Sequence, residues 1–168
     1  MTTLRHTIMP TAIGPLLLVA DDADRIRGVY TEGHKGGPST PPGVEDRSGV
    51  LARARDQLGE YFAGERLAFD LPTHAVGSTL QVRVWDALVG VPYGTTTTYG
   101  RLATQLGLPR GAARAVGSAN GRNPLSILVP CHRVVGASGA LTGYAGGLGT
   151  KRSLLDLEAR VAGAALAL

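Results

Sequence analysis

The chain has 168 residues, 43% of them hydrophobic and 18% charged, a balance that supports one ordinary domain or two small ones around a buried core. No apolar run approaches the roughly twenty residues of a membrane span, and the N-terminus lacks the continuous apolar core of a signal peptide, so the expected location is the cytoplasm. The net charge of +4 conceals an asymmetry: residues 1–71 hold eight Lys/Arg and ten Asp/Glu, or −2, whereas residues 72–168 hold nine and three, or +6. A basic half implies an anionic partner, and nucleic acid is favoured over a membrane surface because no membrane-binding amphipathic helix accompanies it.

Leu4–Ile8, Leu16–Ala20 and Ile26–Tyr30 are short apolar or alternating runs separated by Ile13-Gly14-Pro15 and by Asp21-Asp22-Ala23-Asp24. They predict an antiparallel meander. Residues 31–46 are dense in Gly and Pro and predict a surface loop. Val50, Leu51, Ala54, Leu58, Tyr61 and Phe62 recur at helical spacing, with Ser48 as cap and Gly64 just past the end, so one amphipathic helix should cover the sheet. Leu67, Phe69 and Leu71 alternate with Ala68 and Asp70 like a further short strand that Pro72 ends. His6, His34 and His74 have no clustered partners and are read as structural or exposed.

Residues 73–77 are the expected linker between an N-terminal sheet-and-helix domain, 1–72, and a C-terminal domain, 78–168. Ser78 and Gln81 make a capping box for a helix whose apolar face is Leu80, Val84, Trp85 and Leu88. After the turn Val91-Pro92-Tyr93-Gly94, Tyr99–Leu106 predicts a short helix closed by Gly107 and Pro109, and Ala112–Asn120 predicts a second. Together they form a helix-turn-helix pattern in a basic region. The second helix carries Ala112, Ala113, Ala115, Gly117, Ser118 and Ala119, with Arg114 its one long projection. So bare a surface fits tight helix packing or the close approach of another molecule.

Leu125–Val129 reads as a buried strand that Pro130 stops, presenting Cys131 at its end. Cys131 is the only cysteine, which rules out an intramolecular disulfide and a CxxC metal site. A buried inert side chain or a nucleophile remains. His132 follows directly, and an imidazole, or a water it polarises, takes a thiol proton to leave the reactive thiolate. Asn123-Pro124 opens the stretch, where Asn is suited to bonding backbone groups in a tight turn. Gly136–Gly139 looks like a hairpin turn, and Leu141–Gly147 is a glycine-rich loop, either an ordinary connection or backbone able to close on a flat ligand. Lys151–Val161 predicts a helix in which Glu158 lies beside the stripe Leu154, Leu155, Leu157 and Val161; a carboxylate so placed needs a buried partner, and His132 is the candidate.

Pro130-Cys131-His132-Arg133-Val134, preceded by Arg114-Ala115-Val116-Gly117 and Asn123-Pro124 and followed by Gly143-Tyr144-Ala145-Gly146-Gly147, resembles the active-site region of the O6-alkylguanine-DNA alkyltransferases. The likeness runs from about Gly77 to Glu158. Ser78 and Leu80 depart from the family's Gly-Thr-x-Phe-Gln, and the turn between Gly107 and Arg114 is one residue longer than usual. The resemblance implies an α+β fold: a small N-terminal antiparallel sheet with a covering helix, then a mostly helical C-terminal domain holding a helix-turn-helix and the active-site Cys. It implies DNA repair by irreversible, single-turnover transfer of the alkyl group of O6-alkylguanine, and less well of O4-alkylthymine, to Cys131 after the nucleotide is flipped out.

By the same resemblance, Glu158 orients His132, which through a water deprotonates Cys131, while Asn123 holds the active-site turn. Arg114 fills the vacated stack from a helix face shared with Ala115 and Gly117, Tyr99 crowds the phosphate, and Tyr144, Ala145 and Val134 line the base pocket. The implied partner is double-stranded DNA, bound by a monomer, with cooperative binding left open; no metal or other cofactor is implied. Three other classes fit the residues less well. A cysteine hydrolase needs an oxyanion hole for which there is no separate sign, a silent lesion-binding relative would not keep Cys131, and transcription-factor activity stays open only as a second role, since no regulatory domain or further metal-binding cysteines accompany the helix-turn-helix.

Overall fold

The computed structural model describes residues 2–166. β1 (Arg5–Met9), β2 (Leu16–Ala20) and β3 (Ile26–Thr31) form the expected antiparallel meander, with Arg5 opposite Ala20 and Leu16 opposite Thr31. Leu16, Leu18 and Ala20 alternate onto the inner face and are fully buried. The Gly/Pro-rich stretch contains a short strand, β4 (Val44–Glu45), which pairs parallel with β1 and extends the order to β3-β2-β1-β4. Gly43, at φ +70°, makes that pairing possible, because a Cβ there would overlap the Leu4 carbonyl.

α1 (Gly49–Phe62) covers the sheet with Val50, Leu51, Ala54, Leu58 and Tyr61, all fully buried. Its cap differs from the one expected. The Ser48 hydroxyl donates to Asp46 Oδ1 at 2.8 Å, and the Val50 N–H is instead accepted by Asp24 Oδ1, at 3.0 Å, from the β2–β3 turn. A tertiary contact therefore does what the local sequence was expected to do.

No strand forms over Leu67–Leu71, in contrast to the alternation of its side chains. Asp70 is tied to α1 instead, its N–H donating to Gln57 Oε1 at 2.9 Å and its carbonyl accepting from Gln57 Nε2 and Arg53 Nη2. The free edge of β3 is filled by other segments. Ile26 N–H donates to Pro72 O at 2.8 Å and Ile26 O accepts from His74 N–H at 2.9 Å; Val29 N–H donates to Pro124 O at 2.8 Å and Val29 O accepts from Ser126 N–H at 3.2 Å. The sheet edge is thus covered by the segment just ahead of the cysteine, which fixes one to the other.

α2 (Thr79–Val89) starts at the complete Ser78/Gln81 capping box and buries Val84, Trp85 and Leu88. α3 (Tyr99–Gln105) and α4 (Ala113–Gly121) pack together as the expected helix-turn-helix, with α2 against α4. The Trp85 indole N–H donates to Ala119 O near the end of α4 at 2.8 Å. β5 (Thr97–Thr98) and β6 (Val134–Val135) form a two-stranded parallel pair, and α5 (Leu148–Leu166) extends beyond both ends of the predicted helix. The turn at Gly136–Gly139 closes, with Gly139 N–H on Gly136 O at 2.8 Å, but no second strand follows it to make a hairpin. Buried apolar side chains from Met9 to Leu157 make one continuous cluster. No described helix is long and apolar enough to cross a membrane.

Candidate active site

Leu125–Val129 is not the buried strand its apolar run predicts. Ile127 sits at φ +72°, and the Leu128 N–H closes a three-residue turn on Ser126 O at 2.8 Å. A β-branched residue in this region costs about 1–3 kcal/mol, so the turn persists only because its surroundings hold it. Asn123 is the brace: its Oδ1 accepts from Leu125 N–H at 3.0 Å and its Nδ2 donates to Val129 O at 2.9 Å, one amide spanning the whole turn. Cys131 then opens a single 3-10 turn, Cys131–Arg133. Its carbonyl accepts from Asn120 Nδ2, at 3.3 Å, so the end of α4 is bonded to the backbone of the cysteine.

Behind this turn lies a buried polar cluster. His132 Nε2 is 2.7 Å from Glu158 Oε2, with both side chains inaccessible to solvent. Burial alone would raise the Glu158 carboxyl, but hydrogen bonds from His132, Arg133 and Tyr61 hold it down at about 2. An ionised carboxylate only accepts, so the imidazole proton is assigned to Nε2 and Nδ1 keeps its lone pair. His132 Nδ1 is buried without a partner among the described residues, and burial keeps the ring below its usual value, hence neutral. Burial also pushes the Cys131 thiol up to about 11, against the Asn123 amide and the Lys151 charge, which draw it down. The resting thiol is protonated and needs a base.

In front lies a groove of about 550 Å³ whose walls include Tyr99, Arg114, Gly117, Tyr144, Ala145 and Lys35. The Tyr99 ring lies over Gly117 of α4, where a Cβ would stand in ordinary contact at 3.6 Å. The Tyr99 hydroxyl donates to Thr142 O at 3.2 Å across the groove mouth. Tyr144 is buried, its hydroxyl unpartnered among the described residues, and burial together with the neighbouring Cys131 raises its phenol. Ala115 is an exposed neighbour of Arg114 on α4 and does not line the groove, and Val134 is fully buried in β6. Cys131, His132, Glu158 and Asn123 therefore form one cluster, and Tyr99, Arg114, Gly117, Tyr144 and Ala145 another. Tyr144 is where the two meet.

Four residues of the cluster carry no expectation from the sequence. Arg133 Nε donates to Glu158 Oε1 at 2.8 Å, Nη2 to Oε2 at 3.0 Å, and Nη1 to Val91 O at 2.7 Å. Its place beside Cys131-His132 was the one available signal. The Tyr61 hydroxyl reaches Glu158 Oε2 at 2.7 Å from α1, and Gly94 N–H reaches Oε1 at 3.3 Å. Lys151, in the first turn of α5, is fully buried and donates to Val134 O and to Thr142 O, the latter at 2.7 Å; burial lowers its ammonium to about 8.

A family model described as 6-O-methylguanine DNA methyltransferase, DNA binding domain, matches residues 79–160, and one described as the ribonuclease-like domain matches residues 4–75. A methylated-DNA–protein-cysteine methyltransferase of Mycobacterium tuberculosis is 58% identical over 110 residues, 66% of this chain and 66% of the relative's own length. That of Mycobacterium leprae is 48% identical over 150 residues, 89% of each chain. A crystal structure of Mycobacterium tuberculosis OGT in complex with DNA matches with a TM-score of 0.82 at 45% identity, over 95% of this chain and 94% of that one. Matched in order through both halves, in sequence and in fold, the chain belongs to the 6-O-methylguanine DNA methyltransferase family.

Proposed function

We propose that this chain repairs O6-alkylguanine in double-stranded DNA by taking the alkyl group onto Cys131, once per molecule. The observation that carries the reading is the buried thiol backed by a neutral His132 whose free Nδ1 faces no other partner and whose Nε2 is fixed by Glu158. The Cys131 proton passes through a water to His132 Nδ1, and Glu158 stabilises the imidazolium. The thiolate attacks the O6-bound carbon in line; the C–O6 bond breaks with its electron pair moving to guanine, which takes up a proton. The unpartnered Tyr144 hydroxyl is available to donate to the departing base. The product is a thioether that no group of this site hydrolyses, so each molecule reacts once.

The O6 atom of a stacked guanine is out of reach of a buried thiol, so the nucleotide is extruded at a cost of a few kcal/mol. Arg114, exposed on the nearly bare α4, fills the gap, and Ala115 and Gly117 let the helix backbone approach the duplex. In this reading residues 78–168 bind and react, residues 1–72 support them, and residues 73–77 connect the two. The protein acts as a monomer in a reducing compartment, where a lone thiol persists. O4-alkylthymine presents a smaller base to the same pocket and reacts less well.

Intact mass after incubation with a short duplex containing O6-methylguanine tests the reading. One methyl mass is expected, on a peptide containing Cys131, and Cys131→Ser should abolish transfer while retaining DNA binding. Multiple turnovers by a fixed amount of protein would refute it.

A further inference from the structure

The loop that follows β3 takes no part in the reaction above, yet its first turn leans on the base pocket. His34 N–H donates to Thr31 O at 3.1 Å, and the His34 ring meets Tyr30 edge-on with centroids 5.2 Å apart, which fixes the turn. From there Lys35 N–H donates to Ala145 O at 3.0 Å. Thr31 packs so closely on the next residue, Gly146, that a Cβ there would lie 2.5 Å from Thr31 Oγ1. The glycine-rich loop is thus gripped from the N-terminal side at two consecutive residues.

The Lys35 side chain is exposed and has no carboxylate partner among the described residues. It walls three adjoining clefts: the groove of about 550 Å³ with Tyr99 and Arg114, one of about 390 Å³ along Gly143–Leu148, and one of about 290 Å³ shared with Arg122. No carboxylate lines any of the three among the described residues. Arg114 stands in the first turn of α4 and Arg122 just past its end, both exposed, so Lys35 completes a set of three cations around that helix.

We propose that Lys35 contacts a phosphate of the strand carrying the extruded nucleotide, so that the N-terminal loop supplies a second wall of the DNA groove. The proposal rests on the DNA-repair reading and adds a contact from outside the helix-turn-helix. A lysine on a flexible stem binds phosphate as a compact point charge, which positions the duplex without reading its sequence. The backbone bond to Ala145 sets the height of that charge above the base pocket.

Lys35→Ala leaves the backbone N–H in place and removes the charge together with its aliphatic stem. With a short undamaged duplex, the slope of log affinity against log salt should flatten by about one. Single-turnover repair at low duplex concentration should fall at least about threefold more than reaction with free O6-benzylguanine, and Lys35→Arg should restore most of both. An unchanged salt slope, or equal losses on duplex and free base, would overturn the proposal. Methyl transfer by the wild-type chain tests the parent reading separately; if that transfer failed, the salt slope of Lys35→Ala would still decide whether this wall meets DNA.

Discussion

Glu158 accepts from five donors, His132 Nε2, Arg133 Nε and Nη2, the Tyr61 hydroxyl and Gly94 N–H, and so many partners make it a poor base. In the proposed mechanism its work is to hold one imidazole tautomer and to stabilise the imidazolium. Glu158→Gln should therefore raise the apparent pKa of Cys131, with the loss of single-turnover rate greatest near neutral pH and partly recovered as pH rises. The same substitution strands the Arg133 guanidinium, which is 6% exposed, without its counter-charge. A destabilisation of about 3–5 kcal/mol is expected by urea denaturation. Rate profiles for the two proteins with a common midpoint would mean that Glu158 serves packing alone.

At the level of elements, α1 begins on a residue from another turn. Asp24, itself at φ +57°, accepts from Val50 N–H at 3.0 Å and from Arg5 Nη2. Asp24→Ala should cost about 1–2 kcal/mol of stability, whereas Asp24→Asn, which keeps an acceptor and tolerates positive φ, should cost much less. Equal melting temperatures for the alanine and asparagine variants would remove the cap from this account. The cap also shows what the sequence does and does not reveal. Where signals are local, as in the β1–β3 meander and the Ser78/Gln81 box, periodicity and turn chemistry located the elements. Where a partner lies far along the chain, nothing local marked it, as with Asp24 on α1 and Tyr61 on Glu158; Arg133 had only its place beside Cys131-His132 to point to the site. Leu125–Val129 misled because burial makes a strand and a braced turn equally apolar, and only Asn123, with the positive φ of Ile127, tells them apart.

Across the whole molecule, Tyr61 joins the sheet-covering helix to the carboxylate behind the cysteine. Its ring lies among Phe62, Phe69 and Tyr93, so Tyr61→Phe keeps the packing and deletes only the donor to Glu158. A hydrogen bond to a charged group contributes about 1.5–3 kcal/mol, the loss expected at pH 7. The sign of its pH dependence follows from the carboxyl. Glu158 is held at about 2 against an ordinary 4.5, so its contribution is complete above 4.5 and is lost as pH falls toward 2. Without the tyrosine donor the folded-state value rises toward the ordinary one. The stability difference between the two proteins should therefore narrow as pH is lowered through that window, and a difference constant from pH 7 to pH 2 would show that the hydroxyl does not act through Glu158.

Trp85 is the only tryptophan in the chain, 3% exposed, and its indole N–H is bonded to the Ala119 carbonyl of α4. That placement makes the protein its own spectroscopic instrument. Emission excited at the red edge comes from a single indole, which senses the backbone of the helix that a duplex would press upon. Were α4 to shift under a docked duplex, the hydrogen bond would change and with it the colour and yield of the light, and docking would then be readable in unlabelled protein on the same sample as alkyl transfer.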